Sequence, residues 1–241
     1  MKETVLIKNV SKSFGKKVIL ENINLSIHGG QIYGFIGPSG AGKTTLVKMI
    51  VGMDRMDAGT IHVLNNKMPD LNILQEIGYM AQSDALYSEL SGAENLHFFA
   101  SLYQLEKAER KRRIMYAAEL VNLEDDLKKK VSSYSGGMKR RLSLAIALVQ
   151  NPKILILDEP TVGIDPELRL SIWNELIRLK NEEGKTIIVT THVMDEAERC
   201  DFVAMVRDGC ILSSGSPGEL KDRYEVHSFE EVFLKAGGRR S

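Results

Sequence analysis

Cysteine is nearly missing from this chain: two residues in 241, Cys200 and Cys210. Two thiols at that spacing make neither a disulfide framework nor a metal-ligand set, so packing must hold the fold, in a reducing compartment. A surplus of charge is missing too. Lys+Arg and Asp+Glu are equal at 32 each, which removes the electrostatic basis for nucleic acid as a partner. No apolar run approaches the roughly 20 residues that cross a bilayer. Met1-Lys2-Glu3-Thr4 gives way to alternating strand-like residues, not to the apolar core of a signal peptide. The expectation is a soluble chain that meets any membrane through a partner. Internal repeats and low-complexity linkers are absent as well.

What is present is material for a core. The chain is 43% hydrophobic and 27% charged, enough for one α/β domain or a domain with a subdomain. Val5-Leu6-Ile7 and Val18-Ile19-Leu20 flank a turn at Gly15, and Ile23, Leu25 and Ile27 alternate with polar neighbours, so residues 5–36 read as strands. From about Leu86 to Val149 the pattern is helical. Its charge runs, Glu109-Arg110-Lys111-Arg112-Arg113 and Lys128-Lys129-Lys130, read as solvated faces. Strands resume at Ile154 and Thr186. Between them Pro166 to Glu183 reads as a helix, with Pro166 suited to its first turn and Gly184 to its end. Phe202–Arg207 and 210–214 suggest a hairpin around Asp208-Gly209. Ser216-Pro217 opens a last short helix.

Gly37-Pro38-Ser39-Gly40-Ala41-Gly42-Lys43-Thr44-Thr45 is the most informative stretch. It fits the G-x-x-x-x-G-K-[ST] loop whose backbone N–H groups cradle phosphate oxygens. The flanks agree: Gln31 to Ile36 is strand-like and Leu46 to Ile50 is helix-like. A helix N-terminus there adds free donors and partial positive charge. Gly40 and Gly42 let the backbone curl where a Cβ would collide. Lys43 is placed to reach the outer phosphates, and the Thr44 hydroxyl to ligate Mg2+.

A second carboxylate-bearing strand comes after the helical block: Ile154-Leu155-Ile156-Leu157-Asp158-Glu159. Asp158 suits the Mg2+ ion. Glu159, beside it, suits the base that takes a proton from an attacking water. Ser135-Gly136-Gly137-Met138 stands before a helix that the pattern starts at Lys139, offering a second anion-binding tip.

In this order and spacing the motifs resemble those of the nucleotide-binding subunit of ATP-binding cassette transporters, over roughly residues 3–220. The resemblance implies an α/β fold. A RecA-like P-loop NTPase core combines with an antiparallel β subdomain over 3–83 and 151–220, and a helical subdomain over about 84–150 carries the signature loop. Residues 221–241 are left as a short tail. It further implies ATP and Mg2+ as ligands. Phe14 would stack on adenine, with Val18 flanking the base. Gln82 would reach Mg2+ and the attacking water, and His192 the γ-phosphate. Ser135, Gly136 and Gly137 match the signature loop, which in the family faces the nucleotide of the opposite protomer. Asp165 matches the loop that communicates across the dimer, and by residue type it also suits a helix N-cap. The commoner signature is Leu-Ser-Gly-Gly-Gln; here Tyr134 and Met138 occupy the outer places.

The implied partners are a second ATPase copy, identical or similar, and an integral membrane permease, with the chain peripheral on the cytoplasmic face. Leu86, Tyr87 and Leu90 are the expected docking residues, and Phe98 and Phe99 are expected to pack partly into the core. The Gly-Ile-Asp-Pro and Thr-Thr-His-Val-Met-Asp-Glu-Ala runs and the Ser228–Leu234 ending resemble bacterial exporter ATPases of the drug-resistance type, favouring export. Other soluble relatives fit less well. Ribosome-acting cassettes usually come two to a chain. Repair ATPases need a long coiled coil, for which the 90 positions from Thr45 to Ser135 leave no room. A non-hydrolysing ATP-binding regulator would have little use for Glu159 and His192. The cargo path belongs to the membrane chains, and the sequence does not name the cargo.

Overall fold

The computed structural model describes residues 3–83, 85–103 and 105–238. Alternating apolar residues build a long antiparallel hairpin from β1 (Glu3–Phe14) and β2 (Lys17–His28), closed by Gly15 at φ 59°. With β4 (Ala58–Val63) and β5 (Asn66–Lys67) it forms a four-stranded sheet in the order β2-β1-β4-β5.

The second sheet has six strands: β3 (Ile32–Ile36), β6 (Ile77–Met80), β7 (Ile154–Asp158), β8 (Thr186–Thr191), β9 (Phe202–Arg207) and β10 (Cys210–Gly215), in the order β10-β9-β3-β8-β7-β6. All neighbours run parallel except β10, which returns antiparallel along β9 through Asp208-Gly209, both at positive φ. Every residue of β3, β7 and β8 is buried, as a parallel strand covered on both faces requires. Alternation sorts their side chains. Ile32, Ile36, Leu155 and Leu157 enter the core beneath most of the helices. Tyr33, Phe35, Ile154 and Ile156 face the antiparallel sheet and α1 (Lys43–Ile50).

Three helices, α2 (Gly92–Ser101), α3 (Lys107–Leu120) and α4 (Gly136–Leu148), lie between β6 and β7 in the chain. Helix α5 (Pro166–Glu183) has the span expected from the pattern, with Asp165 as N-cap, Pro166 in the first turn and Gly184 at φ 63° as C-cap. Short α6 (Met194–Ala197), α7 (Pro217–Tyr224) and α8 (Phe229–Gly237) complete the fold.

Three expectations need correction. Helix α4 begins at Gly136, not Lys139, because the Ser135 hydroxyl caps it by accepting from Met138 N–H at 3.2 Å, which offsets the poor helix propensity of two glycines. The Glu109–Arg113 run is not wholly solvated. Arg113 is buried and donates to the carbonyl of Leu148 at 3.3 Å, and that burial lowers its pKa. The helix opened by Ser216-Pro217 is not the last: α8 follows it within the stretch expected as a short tail, and its Phe229, Val232 and Ala236 are buried in the same core as Trp173.

Register positions the chemistry. Ile36 lies opposite Thr191, Thr190 opposite Asp158, and Leu157 opposite Met80. Four parallel strands therefore end side by side, and the segments leaving them meet at a single edge, where parallel α/β sheets place their ligands.

Candidate active site

The loop after β3 is closely enclosed, and sterics demand glycine at two of its positions. A Cβ on Gly37 would sit 2.0 Å from the carbonyl oxygen of Val206 on β9. Gly42, at φ 104°, would press a Cβ to 2.7 Å from Leu20 Cδ2. Among the described residues no side chain caps α1, and its first turn carries no acidic residue. Its N-terminal amides are thus left to an anion. The Lys43 ammonium folds back on its own loop and donates to the carbonyls of Gly37 at 2.7 Å and Pro38 at 3.0 Å. Burial lowers its pKa, opposed by the charges of Glu159 and Asp158.

A pocket of about 310 Å³ opens over this loop. Ser39, Gly40, Gly42, Lys43, Thr44 and Thr45 line it together with Gln82, Glu159 and, from the hairpin, Lys17 and Ile19. Phe14 and Val18 stand exposed at the hairpin tip, at 54% and 58% of their surface. Sequence reasoning missed what lies against the Phe14 ring. Lys12 Nζ is 5.0 Å from its centroid, within cation–π range. That cation is in turn fixed by Asp54 at 2.9 Å and the Arg55 carbonyl at 2.6 Å.

At the end of β7, Asp158 is fully buried. Its Oδ1 accepts from the Thr190 hydroxyl, while Oδ2 has no hydrogen-bond partner among the described residues. A buried carboxylate oxygen in that condition is what a cation, directly or through water, would satisfy. Glu159 takes a left-handed backbone at φ 53°, a strain of about 1–3 kcal/mol for a residue with a Cβ. Its N–H donates to both the carbonyl and the hydroxyl of Thr190, at 3.2 and 3.0 Å. The twist delivers its carboxylate between two side chains. Gln82 Nε2 donates to Oε2 at 3.1 Å, and His192 Nδ1 lies 3.1 Å from Oε1. A carboxylate oxygen accepts, so the contact is a hydrogen bond when Nδ1 carries the imidazole hydrogen. Gln82, Glu159 and His192, 110 positions apart from first to last, are brought together at the lip of the Lys43 pocket.

Arg140 was also missed. Its guanidinium donates to the carbonyls of Ala81 at 2.7 Å, Gln82 at 3.0 Å, and both Asp158 and Glu159. In the sequence it is one more base after a glycine turn. The usable signal is that it stands four residues before Leu144, on the buried face of α4.

Ser135, Gly136 and Gly137 are not among the residues lining the Lys43 pocket. Ser135 and Gly136 are exposed, and a Cβ on Gly136 would meet open space. A Cβ on Gly137 would lie 3.6 Å from the Gly163 carbonyl oxygen, on the loop leading to Asp165. Asp165 caps α5 by accepting from Leu168 N–H at 2.9 Å. Tyr134, in the unusual outer place, is a buried anchor whose hydroxyl donates to the Asp126 carbonyl at 2.8 Å. Gly92 is required opposite it, since a Cβ there would come within 2.3 Å of that hydroxyl oxygen.

A larger groove of about 750 Å³ lies away from this edge, lined by Gly30, Glu76, Asn151, Lys153, Glu183 and Lys185 among others. Its buried cation is already engaged: Lys185 donates to Asn151 Oδ1 at 2.7 Å and the Pro152 carbonyl at 2.8 Å. None of the candidate site residues lines it, and geometry outweighs size in assigning the chemistry. No helix among the described residues is long and apolar enough to cross a membrane.

The chain resembles known proteins in sequence and in fold. The ABC transporter family model matches residues 20–162. The Nod factor export ATP-binding protein I of Burkholderia lata is 39% identical over 88% of this chain and 71% of its own length. The linearmycin resistance ATP-binding protein LnrL of Bacillus subtilis is 39% identical over 95% of this chain and 77% of its own length. ABC transporter G family member 23 of Dictyostelium discoideum is 40% identical, and there the chain spans only 33% of the relative's length. Among solved structures, an ATP-binding subunit of an ABC transporter superposes with a TM-score of 0.89 at 26% identity, covering 97% of this chain and 99% of that one. A dimeric ATP-binding cassette in a post-hydrolysis state, bound to ADP and Pi, gives 0.82 at 30% identity over 88% and 98%. With the phosphate loop and the Glu159 cluster at one sheet edge, and the family model over more than half its length, this chain belongs to the ABC transporter family as an ATP-binding cassette.

Proposed function

We propose that the chain is the ATP-hydrolysing subunit of an exporter, working in pairs beneath a separate membrane permease at the cytoplasmic face. One observation carries this reading: Glu159 is clasped by Gln82 and His192 at the mouth of the Lys43 pocket, while the signature residues of the same chain lie outside it.

The residues dictate the chemistry. The α1 amides and the Lys43 ammonium, released from the Gly37 and Pro38 carbonyls, hold the phosphates of ATP. Phe14 offers a ring face to the base. Thr44, Gln82 and Asp158 would hold Mg2+. When bound, the ion neutralises charge on the outer phosphates. Glu159 takes a proton from the attacking water as that water's oxygen bonds to the γ-phosphorus and the bond to ADP breaks. Gln82 and His192 hold the carboxylate in line. Ser135 and the Gly136 and Gly137 amides supply a further set of donors, in trans, to the nucleotide of a paired copy. Loss of the γ-phosphate removes charge-assisted bonds of about 1.5–3 kcal/mol each, which loosens the pair.

The export direction is supported by two relatives whose names concern Nod factor export and linearmycin resistance. The permease contact is supported by an aromatic face. Tyr87 and Phe98 pack edge to face at 4.8 Å and are 48% and 39% exposed, with Phe99 against both. Phe98 thus joins this surface instead of filling the core.

The test is Glu159→Gln. Turnover should fall about 10²–10⁴-fold, and ATP should double the mass read by light scattering. A variant that hydrolyses ATP within twofold of the parent, or stays monomeric with ATP at every concentration, would overturn the reading.

A further inference from the structure

Arg140 connects three parts of the molecule that the sequence separates. It lies five residues into α4 from the Ser135 cap, about 7.5 Å along the axis. It is buried, at 6% exposure. Two of its acceptors, the carbonyls of Ala81 and Gln82, come just after β6, and two, the carbonyls of Asp158 and Glu159, lie at the last residue of β7 and the one after it. All four lie where the strand ladders run out, so the arginine supplies donors that the sheet does not. A planar fork of five N–H donors can serve four carbonyls from fixed directions; an ammonium, with three donors on a flexible stem, cannot serve all four. The two backbones it grips carry the side chains of Gln82 and Glu159, which meet at 3.1 Å. One of those backbones is the strained left-handed turn at Glu159, a conformation that persists only when its surroundings hold it.

We propose that Arg140 is a positioning residue: it ties the signature helix to the backbones of Gln82 and Glu159, so that seating Ser135–Gly137 on a paired copy's nucleotide sets the catalytic geometry of this chain's own site. The inference rests on the reading of the chain as an ATPase that works in pairs. The helix acts as a rigid rod whose exposed tip is the input, and the guanidinium is the joint. Because the contacts go to main-chain oxygens, the setting passes to both side chains together.

The experiment compares the full chain with Arg140→Lys and Arg140→Ala. It measures ATP binding to the dilute monomer, melting temperature, and turnover against ATP concentration. ATP binding to the monomer should stay within about twofold, since the Lys43 loop is untouched. In Arg140→Lys the kcat should fall about ten- to hundredfold, and the sigmoid dependence on ATP should flatten towards a Hill coefficient of one. Millimolar guanidinium should restore part of the turnover of Arg140→Ala and none in Arg140→Lys. Equal losses of melting temperature and monomer ATP binding, with kcat per folded molecule unchanged, would overturn the proposal in favour of simple fold support. So would Arg140→Lys with parental kcat and cooperativity. A parent chain that itself fails to hydrolyse ATP would instead sink the proposed function, so the two failures are told apart in one assay.

Discussion

Two glycine-rich turns open helices in this chain, and they are built in opposite ways. The turn before α1 is enclosed. Gly37 faces the Val206 carbonyl, Gly42 faces Leu20, and Lys43 is folded inward on two carbonyls. Among the described residues no side chain caps the helix behind it. The turn before α4 is open. Gly136 has free space, Ser135 is exposed, and the hydroxyl that caps the helix by accepting from Met138 still has its own hydrogen to donate. A turn whose glycines are demanded by its own chain is a finished cradle. A turn whose glycines are demanded by nothing in its own chain is shaped for a surface supplied from elsewhere.

Changing Lys43→Ala and Ser135→Ala side by side sharpens that contrast most. Removing the Lys43 ammonium should cost about ten- to hundredfold in ATP affinity of the isolated chain, the worth of one bond between charged groups. Removing the Ser135 hydroxyl should leave that affinity within about twofold and lower turnover at saturating ATP about tenfold. Isothermal titration and a phosphate-release assay read both. If Ser135→Ala weakened ATP binding to the dilute monomer as much as Lys43→Ala, the open turn would be serving its own chain and the contrast would fail.

The glycines themselves come next in size. Gly37→Ala forces a methyl against a main-chain oxygen that cannot yield, so about 1–3 kcal/mol of overpacking and a melting temperature about 2–12 °C lower are expected. Gly136→Ala places its methyl in open space at a helix start, and the melting temperature should hold or rise slightly. Equal losses in the two variants would mean that Gly136 is constrained by its own fold after all.

The enclosed half was the more legible in sequence. Gly37 to Thr45 is read from spacing alone, because a phosphate cradle needs those residue types in that order. Glu159 could be read as ending the second strand, and Asp165, Pro166 and Gly184 fix α5 through local capping chemistry. What sequence could not show is everything set by long-range partners. The positive φ of Glu159 is imposed by Thr190 on the neighbouring strand. Spacing puts Arg140 on the apolar face of α4, but which carbonyls it serves shows only once β6 and β7 are known to end beside it. Lys12 becomes an aromatic partner only because Asp54, 42 positions away, holds it beside Phe14. Helix α8 is a milder case: Phe229, Val232 and Ala236 already have helical spacing, but only the fold shows which core receives them.

The finest distinction between the two turns is electrostatic. Lys43 is titratable and buried, and its pKa lies below that of an ordinary lysine because burial penalises the charged form, with Glu159 and Asp158 partly offsetting the shift. The ammonium is the form that holds phosphate. Its population in the free chain therefore declines as pH rises through the lowered value, before an exposed lysine would lose its proton. ATP affinity should be flat on the acid side of that value and weaken on the alkaline side. Stability has the other sign. The unfolded lysine binds its proton more tightly, so this residue's contribution to folding improves as pH climbs from the lowered value towards the ordinary one. Nucleotide titrations across the alkaline range, on the parent and on Lys43→Met, isolate the effect. The alkaline decline should be present in the parent and absent from the variant, because Ser135 and the glycine amides carry no proton to lose over that range. Superimposable profiles would assign the decline to another group and leave the enclosed turn without its titrating charge.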